Sequence, residues 1–369
     1  MVRTFRFGIV SDPHITLPHT LYDTPNRFHL VEVSIPALEQ ILAELEHQNL
    51  DFLLLPGDLT QHGELDNHRW LADRLAQLPF PAFTVPGNHD IIQPQASDRV
   101  IGLQEFPQIY RRFGYDSDRP YYCREVLPGI HLLGLNSIAF DDEGRQLPVG
   151  HLDAAQLDWL SATLAGLKTD WIMVMVHHNV LEHLPGQSRH PLGQRYILQN
   201  RQALLDRLRP HPVKLLFTGH LHVQDVTQWE SIWEITTGSL VSYPHPYRIV
   251  EVALHPGGQA EVRVQSQRIA AVPDLPDLQG FSQQWMRDRS IPFMVKLLTC
   301  PPLGLSVAEA ERFAPTLQDF WASISAGDHD LDYPQLPTAV RQHLRQFGAI
   351  DSDGQPRAID NTATLRLAW

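Results

Sequence analysis

At 369 residues the chain is longer than one compact core usually holds, so one large domain with an appendage, or two domains, is expected. Hydrophobic residues at 43% and charged residues at 19% fit a globular protein, and no apolar run is long enough to cross a bilayer. The formal net charge of −13 disfavours a nucleic-acid partner, which is bound through basic surfaces, but leaves small anionic substrates open. The first strand begins too close to Met1 to leave room for a signal peptide, so a cytoplasmic protein is expected. Cys123 and Cys300 are too few and too far apart for a disulfide framework or a thiolate metal site.

In chain order, the apolar run Phe5–Val10 reads as a strand and ends in Ser11-Asp12-Pro13-His14. The polar stretch that follows, with Pro18 and several histidines, reads as a long loop over whatever site the strand ends form. Pro36–Gln48 places Leu38, Ile41, Leu42 and Leu45 at helical spacing, with Pro36 suited to a first turn. Asp51–Thr60 organises the rest: an all-apolar run stops at Pro56-Gly57 and delivers Asp58. A second helix is predicted over Glu64–Leu78, then a strand at Ala82–Val85 that ends in Pro86-Gly87-Asn88-His89-Asp90. This is a βαβαβ rhythm, which implies neighbouring strands joined by right-handed crossovers.

The pattern loosens from Ile91 to Tyr122, where a helix at Leu103–Phe113 is expected, and a strand follows at Ile130–Leu135. The helix Asp153–Leu167 feeds the strand Trp171–Val176, which ends in His177-His178. The helix Asn200–Leu208 feeds Val213–Thr218, which ends in Gly219-His220-Leu221-His222. Ile232–Thr237, Tyr247–Leu254 and Ala260–Gln265 alternate apolar and polar residues, as antiparallel strands with one solvated face do, with a turn at Pro256-Gly257-Gly258. The Pro- and Asp-rich stretch Ala271–Leu278 reads as a linker, which divides the chain into 1–270 and a mostly helical 271–369. Helices are predicted there at Phe281–Leu298, Ser306–Ser325 and Gln335–Phe347. Their apolar positions, among them Phe293, Leu297, Leu317, Phe320 and Trp321, call for a cover: the first region, as a lid near the site, or a second copy of the chain.

Five apolar strands that each end in metal-competent side chains would gather two aspartates, an asparagine and several histidines on one rim. Mixed oxygen and imidazole donors suit two divalent transition-metal ions, Mn²⁺, Fe or Zn²⁺, and do not suit Ca²⁺. A carboxylate can touch two ions where an imidazole cannot, so Asp58 is the candidate bridge. Asp12 and His14 can reach one ion together, while His220 and His222 can share an ion or serve one each. Gly57, Gly87 and Gly219 precede the ligands and permit the sharp turns this delivery needs. Two ions activate water and clamp phosphoryl oxygens, so phosphoester hydrolysis is the natural chemistry. His89, next to Asn88, is expected to bind phosphate or protonate the leaving group, with Asp90 either orienting its imidazole or capping a helix at Ile91.

Taken in order, Asp12-Pro13-His14, Gly57-Asp58, Gly87-Asn88-His89-Asp90, His177-His178 and Gly219-His220-Leu221-His222 resemble the motifs of the calcineurin-like metallophosphoesterases over about residues 4–265. The resemblance implies a four-layer α-β-β-α sandwich, here with a C-terminal helical extension, and a dinuclear site at one end. It assigns Asp12, His14, Asp58 and His222 to one ion, and Asp58, Asn88, His177 and His220 to the other, with His178 in reserve. Within the family the chain is most similar to bacterial cyclic-nucleotide phosphodiesterases of class III. It departs from common patterns at His178-Asn179-Val180 and at His62, which stands where an acidic residue is frequent. The expected activity is hydrolysis of cyclic nucleotides or other small phosphodiesters by attack of an activated hydroxide. A phosphomonoesterase is the rival, and a scaffold of the same fold would have no reason to keep His89.

Overall fold

The computed structural model describes residues 2–24, 27–167, 171–350 and 358–368. The elements run β1 (Arg3–Ile9), α1 (Ser34–Glu46), β2 (Phe52–Leu55), α2 (Leu65–Leu75), β3 (Ala82–Thr84), α3 (Glu105–Ile109), β4 (Tyr122–Leu127), β5 (Ile130–Gly134), α4 (Ala154–Gly166), β6 (Trp171–Met175) and α5 (Arg201–Leu208). They continue through β7 (Val213–Thr218), β8 (Asp225–Trp229), β9 (Ile232–Thr236), β10 (Pro246–His255), β11 (Gln259–Arg268), α6 (Leu278–Thr299), α7 (Val307–Phe313), α8 (Phe320–Ala326), α9 (Thr338–Arg345) and β12 (Thr362–Ala368).

Two six-stranded mixed sheets result, ordered β12-β11-β10-β1-β2-β3 and β4-β5-β6-β7-β9-β8. The strands predicted to alternate with helices run parallel, β1-β2-β3 and β5-β6-β7, and β9, expected to be antiparallel, is so only with β8 and pairs parallel with β7. Side-chain alternation makes the layers. On β6, Trp171, Met173 and Met175 join the core between the sheets, while Ile172, Val174 and Val176 pack with Leu157, Leu160 and Leu164 of α4 and Leu204, Leu205 and Leu208 of α5. On β1, Phe7 meets Phe217 of the other sheet edge-on at 5.4 Å, and Gly8 faces the other way, against Leu45 of α1. The arrangement is therefore helix, sheet, sheet, helix, as expected.

The C-terminal stretch has a third core of its own. Met294, Leu297 and Leu298 of α6 pack with Ala310, Leu317, Phe320, Ile324, Val340 and Leu344, and this cluster closes over Leu192, Leu221 and Val223 of the first region. Two expectations are corrected there. Ser306–Ser325 is two helices: Ser306 and Glu309 form a reciprocal cap on α7, and a 3₁₀ turn at Ala314–Leu317, with Pro315 inside it, parts α7 from α8. The stretch also ends in a strand, β12, which pairs antiparallel with β11 from Gln265↔Thr362 to Gln259↔Ala368. In the first region β4 and β8 are two further strands, beyond those the sequence pattern predicts. Among the described residues no helix is long and apolar enough to cross a membrane.

Candidate metal centre

The carboxyl ends of β1, β2, β3, β6 and β7 meet at one rim, and their loops are tied to one another by backbone bonds. Asp12 N–H donates to the Gly57 carbonyl (3.2 Å), His14 N–H to that of Asp58 (3.0 Å), and Gly219 N–H to that of His177 (3.1 Å). Turning this sharply forces non-glycine residues into left-handed backbone: Asp12 (φ 49°), His14 (41°), Asp58 (49°), His220 (66°) and His222 (59°). Each such residue costs roughly 1–3 kcal/mol and persists only where its surroundings hold it. The glycines divide the work differently from the expectation. Gly57 makes a turn at φ 92°, whereas Gly87 and Gly219 allow close approach: a Cβ at Gly87 would collide with Asp58, and one at Gly219 with Ser11 and Asp12.

Three groups of donors result: His14, His29 and His222 form one, and the other two share Asp58. The ligand atoms of Asp12, His14, Asp58 and His222 lie within 4.8 Å of one another, as do those of Asp58, His177 and His220. Asn88 joins the last of these, its Oδ1 lying 3.1 Å from His177 Nε2, which is itself 3.3 Å from Asp58 Oδ2. The ring orientations are set from behind. His177 Nδ1–H donates to the Pro56 carbonyl (2.8 Å), which leaves Nε2 to the site, and His220 Nε2–H donates to the Arg195 carbonyl (3.1 Å), which leaves Nδ1. His222 Nε2 sits 3.1 Å from Asp12 Oδ1. His178, the reserve, joins none of these groups: its Nδ1 bonds Ser137 Oγ at 2.8 Å.

Burial and neighbouring charges set the protonation states of these groups. Burial alone would raise Asp58, but His177, His89 and His14 around it hold the carboxyl well below its usual range. Burial keeps His14 and His220 well below the usual imidazole range, hence neutral and able to ligate. His177 behaves oppositely: burial would lower it, yet Asp58 lifts it to about 9. Both ring nitrogens of His14 are buried without a hydrogen-bond partner, a cost of about 1–3 kcal/mol that a cation at this position would relieve. The donor set therefore fits divalent metal ions.

His89 stands beside the shared carboxylate: its N–H donates to Asp58 Oδ1 (2.8 Å), and its Nδ1–H donates to the Gln61 carbonyl (2.7 Å), which turns Nε2 to the cavity that the ring lines. This corrects the role expected of Asp90. Asp90 neither touches the His89 ring nor caps a helix; its carboxylate accepts from Thr60 N–H (2.9 Å) and Gly87 N–H (2.8 Å), bracing the two ligand loops. Burial, with the neighbouring Asp58, raises Asp90 to about 7. His62 stacks on His89 at 5.2 Å.

A cavity of about 360 Å³ opens onto the rim; Phe28, Arg195 and Tyr196 in its lining carried no sequence signal, while Phe293 and Trp321 are two of the apolar positions that called for a cover. His29 also lines it, with its ring 4.4 Å from His14 and 4.6 Å from His222. Only proximity in the fold distinguishes these from ordinary loop and helix residues.

A family model described as calcineurin-like phosphoesterase matches residues 5–224. Among curated proteins, the chain is similar to a 3′,5′-cyclic-nucleotide phosphodiesterase of Nostoc sp., 29% identical over 216 residues, 58% of this chain and 71% of that one. It is similar to a probable cyclic nucleotide phosphodiesterase of Synechococcus sp., at 28% over 192 residues, 52% of this chain and 65% of that one. It is also similar to a 3′,5′-cyclic adenosine monophosphate phosphodiesterase of Pseudomonas aeruginosa, at 26% over 191 residues, 50% of this chain and 60% of that one. Among solved structures, a dimetal phosphatase from Danio rerio superposes with a TM-score of 0.54 at 15% identity, over 72% of this chain and 96% of that one, a likeness of fold.

Proposed function

The chain belongs to the calcineurin-like phosphoesterase family and is a metal-dependent phosphoester hydrolase, and we propose that its substrates are small phosphodiesters, cyclic nucleotides first among them. We assign Asp12, His14, Asp58 and His222 to one ion, and Asp58, Asn88, His177 and His220 to the other. The single observation that carries the reading is that two donor groups share Asp58 while His89 hangs from that same carboxylate with a ring nitrogen free for the substrate. The curated relatives named as cyclic-nucleotide phosphodiesterases support the diester preference.

Two divalent ions held there would supply water ionised near neutral pH and neutralise charge on the phosphoryl oxygens. The rest falls to side chains. His89, oriented by the Gln61 carbonyl, delivers a proton from Nε2 to the departing oxygen, because its Nδ1 proton is committed. Asp90 keeps the Asp58 and Asn88 loops in register through Thr60 and Gly87, so it acts through the backbone and touches no substrate. Arg195 supplies a fixed cation on the cavity wall for a substrate oxygen.

Metal-loaded protein tested on cyclic nucleotides, linear diesters and monoesters should favour the diesters in kcat/KM. A preference for monoesters would overturn the proposal.

A further inference from the structure

We propose that the C-terminal helices build a subsite for a flat aromatic group, the nucleobase of a nucleotide phosphodiester, on the cavity wall that faces the rim; this rests on the phosphodiesterase reading. Phe293 of α6 and Trp321 of α8 line the same cavity as Asp58, Asn88, His89 and His222, and Phe28 joins them from the loop before α1. The three rings are contiguous. Phe28 and Phe293 meet edge-on with centroids 6.5 Å apart, and Phe293 and Trp321 are tilted by 56° at 5.4 Å. Such an array offers both faces and edges to one further ring.

The helices place these side chains toward the cavity by their periodicity. Met294, Leu297 and Leu298 enter the helical core, as does Phe320, all of them buried, while Phe293 and Trp321 stay only half-buried. Both lie beyond residues 5–224, the part that the family model matches. The wall is braced as well. Trp285 Nε1–H donates to the Phe28 carbonyl (3.1 Å), and the Arg289 guanidinium sits 3.3 Å from the centre of the Trp285 ring. α6 thus fixes the loop that carries Phe28 and His29.

Charge and size point to a nucleotide rather than a ring alone. Arg195 lies over the Tyr196 ring at 4.6 Å, and among the described residues no carboxylate pairs with it. Its cation serves the phosphoryl group while the rings serve the base. A volume near 360 Å³ suits one small ligand and not a strand of nucleic acid. Behind the wall, a smaller pocket of about 40 Å³ shares Tyr196, Leu221, Phe293 and Trp321, which leaves these rings room to settle on a ligand.

The test uses the full-length, Mn²⁺-loaded protein. Calorimetry should show a nucleoside 5′-monophosphate binding at least about tenfold more tightly than glycerol phosphate, with quenching of indole fluorescence; equal affinities would overturn the subsite without any variant. Phe293→Leu and Trp321→Leu keep apolar bulk but remove the ring. Each should lower the ratio of kcat/KM for a 3′,5′-cyclic nucleotide over that for glycerophosphocholine by about 5- to 150-fold, the span of base stacking on an aromatic ring, mostly through KM and with metal content unchanged. Trp285→Phe should lower it less. An unchanged ratio in both leucine variants would sink the subsite. Hydrolysis of no diester by the unaltered protein, with tight nucleotide binding intact, would instead sink the phosphodiesterase reading alone.

Discussion

The rim of the sandwich and the helical layer above it solve opposite problems. At the rim, five candidate ligands sit in left-handed backbone and His14 keeps two buried nitrogens without partners, arrangements unfavourable in themselves and held by the sheets beneath. The helical layer is more relaxed: Asp277 and Ser306 cap α6 and α7, and a mainly aliphatic core surrounds the buried Phe320. Strain therefore collects where a cation can relieve it, and relaxed packing is used where the task is to shape a wall. The regions touch at Leu221, whose side chain enters the helical core while its neighbours His220 and His222 turn to the rim.

The largest expected effect breaks the rim. Asp58→Ala should lose both ions and all turnover, where Asp12→Ala weakens chiefly one ion; metal analysis that still finds two ions in Asp58→Ala would refute the shared carboxylate. Next, His89→Ala should keep its metal but lose about 10²–10⁴-fold in turnover, and less on substrates with a good leaving group such as nitrophenolate. Equal losses on every substrate would make His89 a phosphate binder.

A third substitution probes the seam. Leu221→Ala removes a buried side chain from the helical core and should cost about 2–5 kcal/mol in chemical denaturation, with weaker metal binding as a companion effect because residues 220 and 222 share its backbone. Full stability would show that the layer rests on the sandwich elsewhere.

The smallest effect lies away from the rim. His183 Nδ1 bonds Asp225 (2.6 Å) and its Nε2 lies 3.0 Å from the Glu234 carboxylate, with Asp360 and Arg248 near Asp225. Burial opposes its charge, yet Glu234 and Asp225 lift it to about 9. Because that value lies above the ordinary imidazole value near 6.5, the stabilisation is complete below about pH 6.5 and lost as pH rises through 9, on the order of 3 kcal/mol at most. Asp360, raised to about 7 mainly by burial, adds loss in the same direction at lower pH. Melting of metal-free protein should fall between pH 6.5 and 9.5, and His183→Leu should flatten the fall; an identical slope in the variant would assign it to other groups.

Much of the rim was legible because its signal is local: an apolar run that ends in a donor, five times over, with a glycine just before the donor in three of them. The role of Asp90 was misread for a related reason, since adjacency to His89 in sequence says nothing of where its carboxylate points once the turn closes on Thr60 and Gly87. His29, Arg195 and Phe28 were illegible because each owes its place to contacts across the chain, such as Trp285 on Phe28, whereas Phe293 and Trp321 showed only as apolar positions in need of a cover. β12 was missed because its partner β11 lies on the far side of four helices.

That pairing has a consequence for how the molecule can be taken apart. Ser266 N–H donates to the Asn361 carbonyl at 2.9 Å, just where β11 and β12 part company, so the helical layer is topologically an insert in a hairpin. Ending the chain at the linker would strip the edge strand and expose β11, still paired with β10, as the new edge. Splicing residue 268 to residue 361 through a short type I′ turn would instead excise the insert and keep the sheet six strands wide. Other inserts grafted at the same two points would present the same rim with a different wall, which makes this hairpin the natural junction for exchanging specificities on an unaltered metal centre.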